Sequence, residues 1–114
     1  MANNLLKSVT YSGETNYSVA DSDVVVYTVP ASTTTILLGL TVSNVLNELI
    51  TVSVKIKDDD AGQTVKYLHA IPINQGASLE AFSTKLILNE ADELILSSGS
   101  GNSFDVIASL VEQT

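Results

Sequence analysis

The 114-residue chain lacks cysteine, arginine and tryptophan. Without cysteine it can form no disulfide, no thiolate metal site and no cysteine nucleophile, and its redox compartment is left open. It also lacks any apolar run near the roughly 20 residues that a membrane span requires. The first nine residues, MANNLLKSV, have no sustained apolar core, so we do not expect a secretory signal there.

Positive charge is scarce, since five lysines stand against 13 acidic residues and the formal net charge is -8. A nucleic-acid-binding protein needs clustered Lys and Arg to displace counterions, and an anionic membrane surface would repel this chain. We therefore expect neither nucleic acid nor membrane among its partners. Such a charge is typical of a soluble protein, and it would also steer the chain towards a basic partner surface.

Three apolar, β-branched runs lie between Val24 and Lys57. The run Ile50–Lys57 alternates between apolar and polar residues, which indicates a strand with one buried face and one wet face. Val24–Val29 is apolar on both faces, which favours burial of both faces or a position near the centre of a sheet. Ile36–Ser43 is again apolar on both faces. Gly39, inside the second of these runs, indicates a bulge or a close backbone approach.

The rest of the chain reads as further short strands separated by turn residues. These are Ser8–Tyr11, an edge strand at Tyr17–Ala20, Val65–Ile73, Ser78–Phe82, Lys85–Leu88, Glu93–Ser98 and Phe104–Val111. No helix is long enough to cover a sheet, so a second sheet must do so. The sequence predicts an all-β fold: a two-layer antiparallel β-sandwich of about eight strands, jelly-roll or immunoglobulin-like. We expect one domain over residues 1–114, with residues 1–7 as an N-terminal arm that frays or orders on a partner.

No group of residues predicts catalysis or a metal site. Asp58–Asp60 and Gly62 lack the twelfth-position acid and the flanking helices of an EF-hand, so they indicate a solvated hairpin tip. His69 is the only histidine, and no motif supplies the nucleophile and acid of a triad. The acids of Glu90–Glu93 fall in a tight turn, where hydrated carboxylates are expected. We therefore predict no catalytic, metal-binding or cofactor-binding residue, and no enzyme.

The four tyrosines raise the alternative of carbohydrate binding, because sugar-binding sandwiches stack aromatic rings on pyranose faces. Tyr11, Tyr17, Tyr27 and Tyr67 are scattered over separate strands, and aromatic residues make up only 5% of the chain. Packing in the core or at a sheet edge is therefore the expected role of these rings. A carbohydrate-binding module stays open as the alternative function.

The segment Tyr27–Asn44, YTVPASTTTILLGLTVSN, resembles the small β-sandwich virion proteins of tailed bacteriophages. The similarity continues through the alternating strand Ile50–Lys57, the Ile71-Pro72 strand end and a late hairpin over Leu86–Leu94. It covers roughly Val24 to Glu112. The resemblance implies a non-enzymatic capsid decoration or cement protein, or a component of the neck, tail or fibre. It implies location in the virion, other virion proteins as partners, and no cofactor or catalytic residue.

Self-association is the last expectation from the sequence. Val24–Val29 and Ile36–Val42 carry more apolar surface than one small sandwich needs to bury, which predicts a homo-oligomer, most simply a dimer or a cyclic trimer. Within the N-terminal arm, Leu5 and Leu6 form the predicted apolar anchor that contacts a partner.

Overall fold

A computed structural model describes residues 4–81 and 85–114 of the chain. In this part of the chain, strands dominate and the one helix is a single turn. The elements are β1 (Asn4–Ser12), α1 (Gly13–Asn16), β2 (Val24–Thr28), β3 (Thr34–Asn44), β4 (Ile50–Asp58), β5 (Gln63–Ile73), β6 (Ser78–Glu80), β7 (Leu86–Leu88), β8 (Glu93–Ser98) and β9 (Phe104–Gln113).

The strands form two antiparallel sheets, as the sequence predicts. The first sheet has the order β1-β9-β3, and the short strands β6 and β7 both pair with the far edge of β3. The second sheet has the order β2-β8-β4-β5. Each sheet interleaves strands from the first half of the chain with strands from the second half. This is the double-sheet jelly roll, one of the two sandwich types that the pattern allowed.

The core lies between the two sheets and is built from the inward positions of alternating strands. Ile50, Val52 and Val54 of β4 are fully buried, which confirms the alternation that the sequence shows in this run. Facing them are buried apolar residues of the first sheet: Leu37, Leu40, Val42, Val106, Ala108 and Leu110. Phe104 is the largest fully buried side chain, and its ring centroid lies 4.9 Å from that of Tyr17.

Strand β3 lies in the centre of its sheet, but β2, for which a central or doubly buried position was expected, does not. Among the described residues β2 pairs only with β8, so it is an edge strand of the second sheet, and its outward-facing Val25 is 47% exposed. The apolar residues on both faces of β2 therefore reflect the exposure of Val25 rather than burial of both faces of the strand. Gly39 lies at a bulge, where the pairing of β3 with β9 shifts between Leu37 and Gly39.

Two other predicted segments differ from the structure. Tyr17–Ala20 is not a strand: it forms part of the connection between α1 and β2, and it turns the Tyr17 ring into the core. The predicted strand Ser8–Tyr11 is longer than expected, because Asn4–Lys7 of the expected N-terminal arm also belong to β1 and pair with Gln113–Leu110 of β9. The long edge of β9 needs a partner, and β1 supplies it along its full length. Residues 1–3, and Phe82 of the predicted strand Ser78–Phe82, lie outside the described residues.

Candidate assembly surface

Four apolar residues form a continuous row across the outward face of the first sheet. Leu6 of β1 pairs with Val111 of β9, Val111 pairs with Ile36 of β3, and Ile36 pairs with Ile87 of β7. Directly paired residues point to the same side of a sheet, and adjacent strands lie about 4.8 Å apart. The two end members are the most open to solvent: Leu6 is 77% exposed and Ile87 is 68% exposed.

Two further exposed residues extend this row into a patch. Leu38 is displaced outward at the β3 bulge, and together with Leu6 and Ser109 it lines a shallow depression. Ile107 lies further along β9, between Thr10 and Thr41. We call the six residues the apolar face: Leu6, Ile36, Leu38, Ile87, Ile107 and Val111. Contiguous exposed apolar patches are typical of interaction surfaces, which makes the apolar face the candidate assembly surface.

The apolar face is also free of charge along its three long strands. The outward positions of β1, β9 and β3, from the row Asn4–Gln113–Thr34 to the row Thr10–Ile107–Thr41, all lie within the described residues and carry no charged side chain. The nearest acids, Asp105 on β9 and Glu80 on β6, lie at one end of it. On a chain of net charge -8, this is a region where another acidic molecule can approach without direct charge repulsion.

The predicted partner contacts Leu5 and Leu6 lie on opposite faces of β1, because successive residues of a strand alternate. Leu6 belongs to the apolar face. Leu5 pairs with Glu112, whose side chain points inward, and it lies exposed at the end of the sandwich. The two leucines therefore do not form one compact anchor, and a contact through Leu6 stays a prediction.

A buried polar cluster connects the two sheets behind the apolar face. The Tyr27 hydroxyl of β2 donates a hydrogen bond to Glu112 Oε2 of β9 at 2.5 Å and lies 2.8 Å from Thr35 Oγ1 of β3. Lys7 Nζ lies 3.6 Å from the same Glu112 oxygen. Burial, and then the Glu112 carboxylate, raise the pKa of Tyr27 to about 12. The cluster thus links one strand of the second sheet to three strands of the first.

The acidic residues of the hairpin tip and of the turn before β8 have solvated or structural positions. Asp58–Asp60 are exposed at the β4–β5 hairpin tip. Buried Asp92 accepts hydrogen bonds from the backbone N–H groups of Asp59 and Asn89, each at 2.9 Å, so it ties two neighbouring turns together. Within residues 4–81 and 85–114, no three acidic or histidine side chains converge as a metal site would require.

His69 and the tyrosines also have clear positions. His69 is exposed on β5, where it borders a polar cavity on the outward face of the second sheet, next to Lys55 and Lys66. Tyr17 and Tyr27 are buried, which confirms packing for these two rings. Tyr11 and Tyr67 are half-buried against the core. None of the four presents a fully open ring for sugar stacking.

The polar cluster and the cavity were not predicted from the sequence. The alternation of buried residues in β9 continues through Val106, Ala108 and Leu110 to Glu112. This pattern already predicts that Glu112 occupies a buried position. The cavity had no such signal, because its walls come from four separate segments of the chain.

Comparison with known proteins gives the fold and no closer relationship. No protein-family model and no curated protein sequence matches the chain. Among solved structures, the chain is similar to a subunit of Bacillus endospore appendages, described as a family of disulfide-linked pili, with 10% identity and a TM-score of 0.55. That match covers 98% of this chain and 86% of the other.

Two viral proteins are similar to the same degree. A capsid protein of Helicobacter pylori bacteriophage KHP30 matches with 9% identity and a TM-score of 0.54, covering 100% of this chain and 94% of that one. A protein of infectious bursal disease virus, Gx strain, matches with 9% identity and a TM-score of 0.54, but this chain spans only 32% of its length. At these identities the likeness establishes the jelly-roll fold alone. No helix in the described residues is long and apolar enough to cross a membrane.

Proposed function

We propose that this chain is a non-enzymatic structural protein of a bacteriophage virion that assembles as a homo-oligomer, most simply as a capsid decoration or cement protein. A position in the neck, tail or fibre of the particle is the alternative within the same role. The observation that carries the proposal is the apolar face, an uncharged sheet surface on a strongly acidic chain. The similarity of the fold to a phage capsid protein supports it.

The occupant of the apolar face is a second copy of this chain. A flat sheet surface of aliphatic and hydroxyl side chains matches another surface of the same kind, and it contains no group that would need an opposite charge on a partner. Two copies carry -8 each, so they repel one another except where both surfaces lack acids. The apolar face meets that condition. The remaining acidic surface is then left to steer the oligomer towards a basic region of a larger virion lattice.

The similarity to a spore pilus subunit supports assembly in general but not the same linkage. That family is described as disulfide-linked, and this chain has no cysteine. Residues 1–114 can therefore form no disulfide between copies in any polymer or ring. We also propose that residues 1–114 act as one domain in it, since both sheets combine strands from the two ends of the chain.

Sedimentation velocity at micromolar concentration tests the assembly surface. The unchanged protein is expected to sediment above the monomer mass, and Ile87→Lys is expected to shift it to monomer. Val25→Lys is the matched control, because Val25 is an exposed apolar residue on the outward face of the other sheet and should leave the oligomer intact. A monomeric parent protein, or equal effects of the two variants, would contradict the proposal.

The place in the virion needs a separate experiment. Mass spectrometry of purified particles of the phage that encodes the chain should detect it at a copy number that is a multiple of its oligomeric state. A density map of the particle would then separate a capsid position from a neck, tail or fibre position. Absence of the chain from purified particles would contradict the virion role, but it would not affect the conclusion on self-association.

A further inference from the structure

The outward face of the second sheet contains a polar cavity of about 190 Å³, on the opposite side of the sandwich from the apolar face. Its floor is formed by the hydroxyl residues Thr51 and Ser53 of β4. Lys55, Lys66 and His69 border it from β4 and β5, and Asp21 borders it from the segment before β2. The volume corresponds to about six water molecules, which is room for one small polar molecule.

Two of the five lysines of this acidic chain border the cavity. Lys55 and Lys66 are directly opposite each other in the pairing of β4 with β5, an arrangement in which like charges destabilise a sheet. Lys55 Nζ is 2.8 Å from Asp23 Oδ1, which neutralises it in part. Within the described part of the chain, Lys66 and His69 have no acidic partner. An anion at this point would relieve the repulsion between the lysines.

The backbone on the β5 side of the cavity is irregular in a way that opens it. Val52 pairs with Ile71 and Val54 pairs with Leu68, so His69 and Ala70 together oppose the single residue Ser53. This bulge puts Ala70 at φ +50, a left-handed conformation that costs a non-glycine residue about 1 kcal/mol or more. The Ala70 N–H donates to Ser53 Oγ at 2.9 Å, which holds the bulge in place. Bulges and such backbone conformations cluster at binding sites.

The end of the cavity away from β5 is bordered by Gly99 and Asp21. A Cβ on Gly99 would lie 2.8 Å from Thr51 Oγ1, so a larger residue there would require the Thr51 hydroxyl to shift. Asp21 Oδ1 lies 4.0 Å from that same Cβ position, which places a hydrogen-bond acceptor at this end. The cavity is therefore polarised, with the Lys66 ammonium and the His69 imidazole on the β5 side and a carboxylate beside Gly99.

We propose that this cavity binds one acidic monosaccharide unit, a sugar that carries a carboxylate. Lys66 and His69 bind the sugar carboxylate, while Asp21 and the Thr51 and Ser53 hydroxyls form hydrogen bonds with the sugar hydroxyls. Ser53 Oγ accepts from Ala70, which leaves its own O–H free to donate. Among the described residues, no Tyr or Phe ring lines the cavity, so a neutral pyranose has no such ring to stack on and the charge is needed for affinity. This inference does not depend on the proposed function.

Titration of the ¹⁵N-labelled protein with glucuronate and with glucose, followed by amide chemical shifts, tests the proposal. Saturable shifts are expected at Ser53, Ala70 and Gly99, with a Kd for glucuronate at least tenfold lower than for glucose. Lys66→Gln should weaken glucuronate binding at least fivefold. Lys57→Gln is the matched control, because Lys57 lies on the same face of β4 outside the cavity, and it should bind like the unchanged protein.

Three outcomes would overturn the assignment. Equal binding of glucose and glucuronate would show that the sugar carboxylate contributes nothing to affinity. Equal glucuronate binding by the parent protein and by Lys66→Gln would exclude this cavity as the binding site, provided that the amide spectrum shows the variant to be folded. Equal binding of acetate or of an Asp-Asp-Asp peptide would show a general anion site or a site for an acidic chain, and not one for a sugar.

Discussion

The Tyr27 hydroxyl donates a 2.5 Å hydrogen bond to the Glu112 carboxylate and so joins the edge strand of one sheet to the central part of the other. Both side chains are more than nine-tenths buried. Tyr27 comes from β2, which in the described part of the chain has β8 as its one neighbour in the sheet. This contact therefore supplies a specific connection where the sheet hydrogen bonding of β2 is weakest.

Removal of the Tyr27 hydroxyl should destabilise the protein. Tyr27→Phe leaves the buried Glu112 carboxylate without its closest donor, and an unsatisfied buried acceptor costs about 1–3 kcal/mol. Urea unfolding at pH 7 should show this loss as a lower midpoint with an unchanged slope. Glu112→Gln, which keeps an acceptor oxygen but removes the charge, should lose less. Equal stability of Tyr27→Phe and the parent protein would show that the hydrogen bond contributes nothing.

Alkaline pH should destabilise the parent protein through the same residue. Burial, and then Glu112, raise the folded-state pKa of Tyr27 from 10.0 to about 12, so the stabilisation is fully present below pH 10 and is lost as the pH rises through 12. Two pKa units correspond to about 2–3 kcal/mol. Unfolding measured at pH 9 and pH 11.5 should show a larger loss for the parent protein than for Tyr27→Phe. Parallel losses in the two proteins would assign the alkaline effect to other groups.

Two glycines should respond to alanine in opposite ways. At Gly13 an added Cβ would lie 2.1 Å from the carbonyl oxygen of Phe104, so Gly13→Ala must displace backbone and should cost more than about 2 kcal/mol. At Gly39 the added Cβ meets nothing within 4 Å. Because glycine weakens a strand relative to alanine, Gly39→Ala should be neutral or stabilise by up to about 1 kcal/mol. Thermal unfolding of the pair checks this, and a costly Gly39→Ala would show that the β3 bulge requires glycine.

The acids of neighbouring turns should differ sharply in importance. Asp92→Ala leaves two backbone N–H groups without their acceptor and should cost about 2–4 kcal/mol. Replacement of Asp58, Asp59 and Asp60 together by Asn should change the free energy of unfolding by about 0.5 kcal/mol or less, as exposed substitutions usually do. A chelator should leave the melting temperature of the parent protein unchanged. A chelator-dependent fall would reveal a cation at the hairpin tip.

Deletion of residues 1–7 should weaken both the fold and the oligomer. It removes the pairing of Asn4–Lys7 with the end of β9 and the contact of Lys7 with Glu112, so a loss of at least about 1 kcal/mol is expected. It also removes Leu6 from the apolar face. Leu6→Ser separates the two effects, because it keeps the strand and should weaken assembly with little change in stability, while Leu5→Ser should leave assembly intact. Equal assembly of the two serine variants would exclude Leu6 from the interface.

The sequence by itself determined the class of fold, because the evidence for it is local. Alternation in Ile50–Lys57, the bulge glycine Gly39 and the turn at Asn89–Asp92 all depend on neighbours along the chain, and the structure confirms each of them. The absence of any long helical pattern then required a second sheet to bury the first. The strand patterns do not specify which strands are neighbours in a sheet.

The composition of each candidate site was determined only by the tertiary structure, because each site joins residues that are far apart in sequence. Leu6, Ile36, Ile87 and Val111 form one row only because β1, β9, β3 and β7 are neighbours. The same applies to Tyr27 with Glu112, 85 positions apart. Whether Val25 is central or at an edge, and whether Leu5 and Leu6 act together, also depend on strand order and register. Those follow from the packing of two sheets against each other, which no single segment of the chain specifies.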